Sequence, residues 1–305
     1  MTDRGLQVRL GKLKLKNPVL TASGTAGYGE ELAEFFDLSK LGAMVMKGIS
    51  LQPWQGNPAP RITETPCGMI NSIGLQNVGL DVFLREKLPF VRQWDVPVIA
   101  NILGTDANEY IRLAAELDEA GVEAIELNVS CPNIKKGGIS FGRDINSFSR
   151  LVAAVRRKVK NAALIVKLTP DAPVDVFARA AGESGADAVS LINTIPALAI
   201  DINTRRPLIK NVIGGLSGPA VKPIAVRMVY QASRAVKIPV IGMGGISCGA
   251  DAIEFMLAGA TAVAVGSAIF RDPMAPLKVI EEIGAYMKGR GIKSVSGITG
   301  AMAGR

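Results

Sequence analysis

Residues 239–270 read PVIGMGGISCGADAIEFMLAGATAVAVGSAIF and contain two strand-like apolar runs, PVIGMGG (239–245) and AVAVGS (262–267). Each run has glycine at or next to its end, before a helical segment. Bare backbone N–H groups at such glycines, together with a helix N-terminus, can hold a phosphate dianion. The stretch therefore predicts two βα units with a phosphate site at the ends of their strands.

Six further apolar runs precede these two, which gives eight in total. The others are PVLTAS (18–23), AMVMKG (43–48), PVIANI (97–102), EAIELNVS (123–130), ALIVKL (163–168) and DAVSLIN (187–193). Amphipathic stretches such as NEYIRLAAELDEAG lie between most of them, with apolar residues near i, i+3, i+4 and i+7. Apolar strands that alternate with helices predict a parallel sheet covered on both faces. Eight units fit an α/β protein of the (β/α)8 TIM barrel type better than an open doubly wound sheet.

Other segments complete the predicted architecture. The pattern LQVRL-GK-LKLK predicts an N-terminal hairpin, and we expect residues 1–305 to form a single domain. Segments 49–96 and 194–217 are longer than a βα connection needs. Because long loops in compact domains tend to be functional, we expect these inserted loops to cover the C-terminal face of the barrel.

The composition excludes several classes of protein. The chain has no histidine, which removes Ser-His and Cys-His pairs and histidine-ligated zinc. Its cysteines, Cys67, Cys131 and Cys248, are widely separated, so neither a metal cluster nor a disulfide framework is expected. The net charge is +8, yet the basic residues are scattered among acids, so no nucleic-acid partner is predicted. Without an apolar run of about 18 residues or a signal peptide, we expect a cytoplasmic protein without a membrane segment.

Polar residues and glycines follow most of the apolar runs. They are Ser23, Lys47, Asn101, Asn128 with Cys131 just beyond, Lys167, Asn193 with Thr194, Gly244 with Gly245, and Gly266 with Ser267. NSIGLQN (71–77) predicts a turn that presents amides and backbone N–H groups, and GGLSG (214–218) predicts a glycine-rich turn before a helix. The alternative for each asparagine is a helix N-cap, and lysines at strand ends usually reach solvent.

These features together describe a flavin mononucleotide (FMN) site. The amides suit a polar heterocycle, an inward Lys167 suits its negative charge, and the glycine turns suit its phosphate group. Two other readings stay open at this point. One is a flavin-free, phosphate-binding barrel lyase or isomerase that uses Lys167 for a Schiff base. The other is a non-catalytic binding module, which the polar groups at the strand ends disfavour.

The sequence contains the motifs LNVSCPN, NSIGLQN, VKLTP, INT, GGLSGPAVKP, GMGGI and AVAVGSAIF. Together they resemble class 1 dihydroorotate dehydrogenase, over essentially the whole chain. The resemblance implies an FMN-binding (β/α)8 barrel that oxidises dihydroorotate to orotate in pyrimidine biosynthesis. It makes Cys131 the base that takes the C5 proton while the C6 hydride goes to the flavin. It places Lys47, Asn71, Ser72, Ile73, Gly74, Leu75, Asn128, Asn193 and Thr194 around orotate. It places Ser23, Lys47, Gly48, Asn101, Asn128, Lys167, Ile192, Gly218, Gly244, Gly245, Gly266 and Ser267 around FMN.

Within class 1, Gln76 and the segment GGLSGPAVKPIAVRMV resemble the NAD-linked form. That resemblance implies a homodimeric core with a partner subunit that carries FAD and a [2Fe–2S] cluster and reduces NAD+, in a heterotetramer. The chain itself has no dinucleotide fingerprint and no four clustered cysteines. The alternatives are a fumarate-reducing homodimeric dihydroorotate dehydrogenase and a dihydropyrimidine dehydrogenase-like reductase acting on uracil or thymine.

Overall fold

The computed structural model describes residues 5–129 and 141–302. Its strands are β1 (Val8–Leu10), β2 (Leu13–Leu15), β3 (Val19–Thr21), β4 (Met44–Val45), β5 (Ile62–Thr65), β6 (Gly68–Asn71), β7 (Val98–Ile102), β8 (Ala124–Asn128), β9 (Ala163–Lys167), β10 (Ala188–Leu191), β11 (Ile195–Ala197), β12 (Ile200–Asp201), β13 (Arg206–Pro207), β14 (Gly214–Ser217), β15 (Val240–Met243) and β16 (Ala262–Val265). Its α-helices are α1 (Glu30–Ala33), α2 (Gly79–Val82), α3 (Leu88–Val91), α4 (Ala107–Glu119), α5 (Ile145–Lys158), α6 (Val174–Glu183), α7 (Lys222–Ala235), α8 (Gly249–Leu257) and α9 (Ala275–Gly289).

Eight parallel strands form the central sheet in the order β3-β16-β15-β10-β9-β8-β7-β4. Its two end strands meet through a parallel bridge between Leu20 and Ala43. The Thr21 hydroxyl reinforces this seam, because it accepts a hydrogen bond from the Val45 N–H at 3.0 Å and donates one to the Val45 carbonyl at 3.2 Å. Each strand lies within one of the eight apolar runs, and the predicted TIM barrel is confirmed.

The longer helices pack around the outside of the barrel. Helix α4 begins after Asp106, whose carboxylate accepts hydrogen bonds from the N–H groups of Asn108 and Glu109, and such caps contribute about 1 kcal/mol. Strands β7, β8 and β9 are buried at every position, since side chains on one face fill the barrel and those on the other meet helices. Across residues 5–129 and 141–302, no helix is long and apolar enough to cross a membrane.

The predicted N-terminal hairpin is confirmed as β1 paired with β2. Gly11 makes its turn with φ +58°, and a Cβ there would lie 2.6 Å from the Cβ of Asp187, just before β10. Lys12 donates a hydrogen bond to the carbonyl of Lys160, which precedes β9. The hairpin therefore lies at the N-terminal end of the barrel and leaves the opposite end for a ligand.

The two long segments meet in one antiparallel sheet with the strand order β11-β14-β6-β5, which we call the covering sheet. Strands β6 and β14 pair with Asn71 opposite Gly215 and Met69 opposite Ser217. Both strands contribute residues to a cavity at the C-terminal end of the barrel. The expectation that both long segments cover this face is confirmed.

The prediction of a glycine-rich turn at residues 214–218 is wrong for the first four of these residues. Residues 214–217 form β14, and only Gly218 makes the turn, with φ +95°. Glycine is needed within the strand because a Cβ on Gly215 would collide with the side chain of Thr194. The glycines therefore allow close approach of neighbouring backbone in the covering sheet.

Candidate active site

One cavity of about 550 Å³ lies between the C-terminal ends of the barrel strands and the covering sheet. Its wall includes the predicted residues Ser23, Lys47, Gly48, Asn71, Ser72, Ile73, Gly74, Leu75, Asn101, Asn128, Lys167, Ile192, Asn193, Thr194, Gly218, Gly244, Gly245, Gly266 and Ser267. The structure thus brings these residues to a single site, while their binding roles stay predictions. Cys131 lies outside the described residues.

Two lysines lie in the wall of the cavity. Lys167 is the last residue of β9 and is only 5% exposed, and its Nζ donates a hydrogen bond to Ser23 Oγ at 3.1 Å. Lys47 follows β4, and burial lowers its pKa below the ordinary value for lysine, with the nearby Arg61 guanidinium lowering it further. A half-buried ammonium group beside another cation favours an anionic ligand, because the anion offsets the cost of its burial.

Asn101 and Asn193 are not helix N-caps, so that alternative is wrong for them, and most of the segment between Asn128 and the next described helix lies outside the described residues. Helix α4, after β7, is capped by Asp106, and α5, after β8, is capped by Asp144. Asn193 is followed by β11, and its side-chain oxygen accepts a hydrogen bond from the N–H of Thr194 at 2.8 Å. The side chains of all three therefore remain candidates for ligand contacts in the cavity wall.

The loop after β6 is held in place by Asn57, which also lines the cavity. The N–H of Asn57 donates to the carbonyl of Ile73, and the Asn57 side chain donates to the carbonyl of Ser72, both at 2.9 Å. Gly74 and Leu75 have φ of +74° and +60°, which shapes a tight turn. The hydroxyl of Ser72 is buried and has no hydrogen-bond partner in the described part of the chain. An orphaned buried hydroxyl in a cavity wall indicates a site for a polar ligand.

The glycine turns after β15 and β14 pack against one another. Gly244 and Gly245 have φ of +122° and +79°, conformations that side chains rarely adopt. A Cβ on Gly245 would lie 2.7 Å from the carbonyl oxygen of Gly218. Glycine is therefore required where the two turns meet, and the exposed backbone there suits a phosphate group.

An ion pair holds the same turns in place. Lys222 Nζ, at the start of α7, lies 2.8 Å from an Asp251 carboxylate oxygen in α8. Asp251 also accepts hydrogen bonds from the N–H and hydroxyl of Ser247, at 2.9 and 2.8 Å. Burial alone would raise the pKa of Asp251, but the hydrogen bonds from Lys222 and Ser247 outweigh it and lower the pKa to about 2. Hydrogen bonds to Asp251 and Glu254 raise the pKa of Lys222.

We expect Asp251→Asn to lower the free energy of unfolding by about 1–3 kcal/mol at pH 7, the typical contribution of hydrogen bonds to a charged group. Since the native pKa lies below the ordinary 3.8, this contribution is present above pH 3.8 and is lost as the pH falls towards 2. Urea titrations of both proteins across that range measure it. The matched control is Glu116→Gln, which removes an exposed ion pair with Arg112 and is expected to cost about 0.5 kcal/mol or less. Equal losses in both variants would contradict the structural role of Asp251.

Sequence reasoning did not single out Glu126 or Ser190, both of which are buried beneath the cavity. Glu126 precedes Asn128 by two residues, so both side chains lie on the same face of β8. One signal in the sequence could have identified Glu126. It is a charged residue within an otherwise apolar run, two positions before a residue that is predicted to bind a ligand.

A family model described as dihydroorotate dehydrogenase matches residues 5–287. The dihydroorotate dehydrogenase B (NAD(+)), catalytic subunit, of Thermoanaerobacter sp. (strain X514) is 56% identical over 298 residues, covering 97% of this chain and 98% of that protein. The protein of the same name from Geobacter sp. (strain M21) is 52% identical, covering 97% of this chain and 98% of that protein. The one from Alkaliphilus oremlandii (strain OhILAs) is 51% identical, covering 99% of this chain and 100% of that protein.

A crystal structure of DHODH from Eimeria tenella in complex with ferulenol matches the fold with a TM-score of 0.82 at 23% identity. The match covers 97% of this chain and 88% of that one, and it supports the barrel architecture. The three relatives above all carry the B-type, NAD-linked name, so the predicted resemblance to that form is confirmed. The chain therefore belongs to the dihydroorotate dehydrogenase family.

Proposed function

We propose that this chain is the FMN-dependent catalytic subunit that oxidises dihydroorotate to orotate in pyrimidine biosynthesis, with residues 1–305 forming one FMN-binding domain in the cytoplasm. The observation that carries the proposal is the composition of the cavity wall. It combines two lysines, an amide-bearing loop and glycine turns in one cavity at the C-terminal end of a barrel. This is the end at which barrel enzymes place their chemistry.

The residues in the wall fit FMN. The turns at Gly218, Gly244 and Gly245, together with Gly266 and Ser267, offer backbone to a phosphate group, and side chains at Gly218 and Gly245 would collide with neighbouring backbone. On the opposite part of the wall, Lys167 provides a buried positive charge for a ring system that becomes anionic on reduction. The proposed FMN contacts are completed by Ser23, Lys47, Gly48, Asn101, Asn128 and Ile192.

The loop Asn71–Leu75 and Lys47 are the proposed site for the substrate. Dihydroorotate carries a carboxylate, and Lys47 is a half-buried cation whose lowered pKa would return towards the ordinary value beside an anion. The orphaned hydroxyl of Ser72 and the amide of Asn71 offer hydrogen bonds to the same ligand. Asn128, Asn193 and Thr194 complete the proposed substrate contacts.

Cys131 is the proposed base that removes the C5 proton of dihydroorotate. A free thiol has a pKa of about 8.5, so a modestly lowered value gives a thiolate near neutral pH in a chain without histidine. The chemistry that bound FMN supplies is acceptance of the hydride from C6. The covering sheet limits access of water to the reacting groups, which strengthens the electrostatic contribution of both lysines.

The electrons then pass to a partner. We propose a homodimer of this chain with an electron-transfer subunit that carries FAD and a [2Fe–2S] cluster and reduces NAD+, in a heterotetramer. The name "catalytic subunit" of the relatives supports a separate partner. With three cysteines in its whole sequence, the chain cannot supply the four cysteine ligands of such a cluster.

The test is anaerobic addition of dihydroorotate to the purified, FMN-loaded chain while the visible flavin absorbance is followed. Bleaching is expected, since the half-reaction needs only this chain. Reoxidation by NAD+ is then expected only after the iron–sulfur flavoprotein is added. Reoxidation by fumarate alone would contradict the NAD-linked assignment, and bleaching by dihydrouracil but not dihydroorotate would indicate a dihydropyrimidine dehydrogenase-like enzyme. A fully loaded sample that neither compound bleaches would overturn the proposed substrate.

A further inference from the structure

Glu126 is a buried carboxylate beneath the cavity. It lies in β8 and is 2% exposed, and it is not part of the cavity wall. The interior of a TM barrel of this kind is usually filled by branched apolar side chains, because a charge there is costly unless it is paired. A carboxylate at this depth therefore requires partners that compensate its burial.

Among the described residues, three side chains contact the Glu126 carboxylate or lie close to it. One oxygen accepts a hydrogen bond from the amide nitrogen of Asn101, and the other accepts one from the hydroxyl of Ser190, both at 2.6 Å. Lys167 Nζ lies 4.0 Å from the first oxygen. Two of these partners, Asn101 and Lys167, line the cavity, whereas Ser190 does not. Glu126 is thus connected to the ligand site through two of its wall residues.

These contacts determine what Asn101 presents to the cavity. An ionised carboxylate only accepts hydrogen bonds, so Asn101 must direct its NH2 group towards Glu126. Its carbonyl oxygen then faces Gly48, where a Cβ would lie 3.0 Å from that oxygen. Because Gly48 is also part of the cavity wall, Glu126 fixes the amide orientation at the site.

The same carboxylate balances the charge of Lys167. The two side chains are 2% and 6% exposed, so solvent screens their interaction little. Ser23, the hydrogen-bond partner of Lys167, is neutral. The positive potential that Lys167 produces in the cavity is therefore reduced by the negative charge directly behind it.

We propose that Glu126 is a positioning residue that sets the redox equilibrium of the bound flavin, by orienting Asn101 and by partly neutralising Lys167. The proposal rests on the proposed function, since it requires FMN in the cavity. Glu126 is not part of the cavity wall, and it acts by orienting Asn101 and through its own charge, which opposes that of Lys167 in the cavity. Removal of its charge leaves the ammonium group of Lys167 uncompensated, which favours the anionic reduced flavin over the oxidised form.

The test compares Glu126→Gln with Ser190→Ala in the FMN-loaded protein. The glutamine keeps the size of the side chain and removes its charge, whereas the alanine removes one hydrogen bond to the same carboxylate and keeps the charge. The midpoint potential of the flavin is measured anaerobically against a reference dye, without substrate. Thermal unfolding of both variants is measured in parallel, because a purely structural role would change stability but not potential.

We expect Glu126→Gln to shift the redox equilibrium about tenfold towards reduced flavin, which for a two-electron couple is about 30 mV upwards. Ser190→Ala is expected to change it less than twofold. An unchanged potential in FMN-loaded Glu126→Gln would overturn the role of Glu126, and so would equal shifts in both variants. If the wild-type chain failed to bind FMN, the proposed function would fall, and the role of Glu126 with it.

A second comparison applies if Glu126→Gln fails to fold because Lys167 has lost the carboxylate that pairs with it. Lys167→Met and Lys167→Met/Glu126→Gln are measured with excess FMN. Removal of the carboxylate charge is again expected to raise the midpoint potential, with a shift of about tenfold in the redox equilibrium towards reduced flavin. Equal potentials in these two variants would overturn the proposal, whereas bleaching of the wild type by dihydroorotate would still stand.

Discussion

Cys131→Ala is expected to lower dihydroorotate turnover by about 10²–10⁴-fold, because proton abstraction by a positioned base contributes that much to rate. FMN binding is expected to persist, since the proposed FMN contacts do not include this residue. Stopped-flow measurement of flavin bleaching by dihydroorotate isolates the step, and flavin absorbance after gel filtration reports FMN content.

Cys67→Ser is the matched control for this change. Cys67 is exposed, next to β6, and outside the cavity wall, so near-normal bleaching is expected. A Cys131→Ala protein that kept most of its bleaching rate would show that another group removes the C5 proton. Loss of FMN from that variant would instead indicate a structural role.

Lys167→Met is expected to lower the free energy of unfolding of the FMN-free chain by about 3–5 kcal/mol, because it leaves the Glu126 carboxylate buried without its cation. FMN retention is also expected to fall, since a positive charge in the cavity wall is lost. Urea unfolding measures the first effect, and equilibrium titration with FMN measures the second.

The double variant Lys167→Met/Glu126→Gln separates the two effects. Removing both charges replaces a buried ion pair by neutral groups, which is often close to neutral for stability. We therefore expect most of the stability to return while FMN affinity remains weak. A double variant as unstable as Lys167→Met would mean that the loss comes from packing and not from the unpaired carboxylate.

The barrel could be predicted because its strands are buried on both faces. A strand such as β9, ALIVK, is apolar at four of its five positions, so it is visible as a run without reference to the rest of the chain. The polar residues at the strand ends could be predicted for a related reason. Parallel strands end at the same edge, so Asn101, Asn128 and Lys167 had to meet once the fold was known.

The covering sheet could not be predicted in the same way. Strands β5 (ITET) and β6 (GMIN) are short and mixed in polarity, with little burial contrast, so no periodic pattern distinguishes them from a loop. The partner of β6 is β14, which lies far along the sequence and consists of half glycine. Local propensity opposes a strand there, and pairing with β6 and β11 overrides it.

Glu126 was overlooked for a different reason. Its charge is visible in the sequence, but whether a carboxylate in an apolar run is buried depends on partners from three other strands. Asn101 and Lys167 were predicted as ligand contacts at strand ends, and Ser190 was not singled out, so nothing linked them to Glu126. Their convergence follows from the register of β7, β8, β9 and β10, which the sequence does not state.

The pairing of β6 with β14 also determines when the site can exist during synthesis. A ribosome adds about 5–20 residues per second, so β6 waits on the order of ten seconds for its partner to be made. Until then β5 and β6 form an isolated hairpin, which is marginally stable in water. The turns at Gly244 and Gly266 are made later still. Flavin loading is therefore a late event that follows translation of nearly the whole chain.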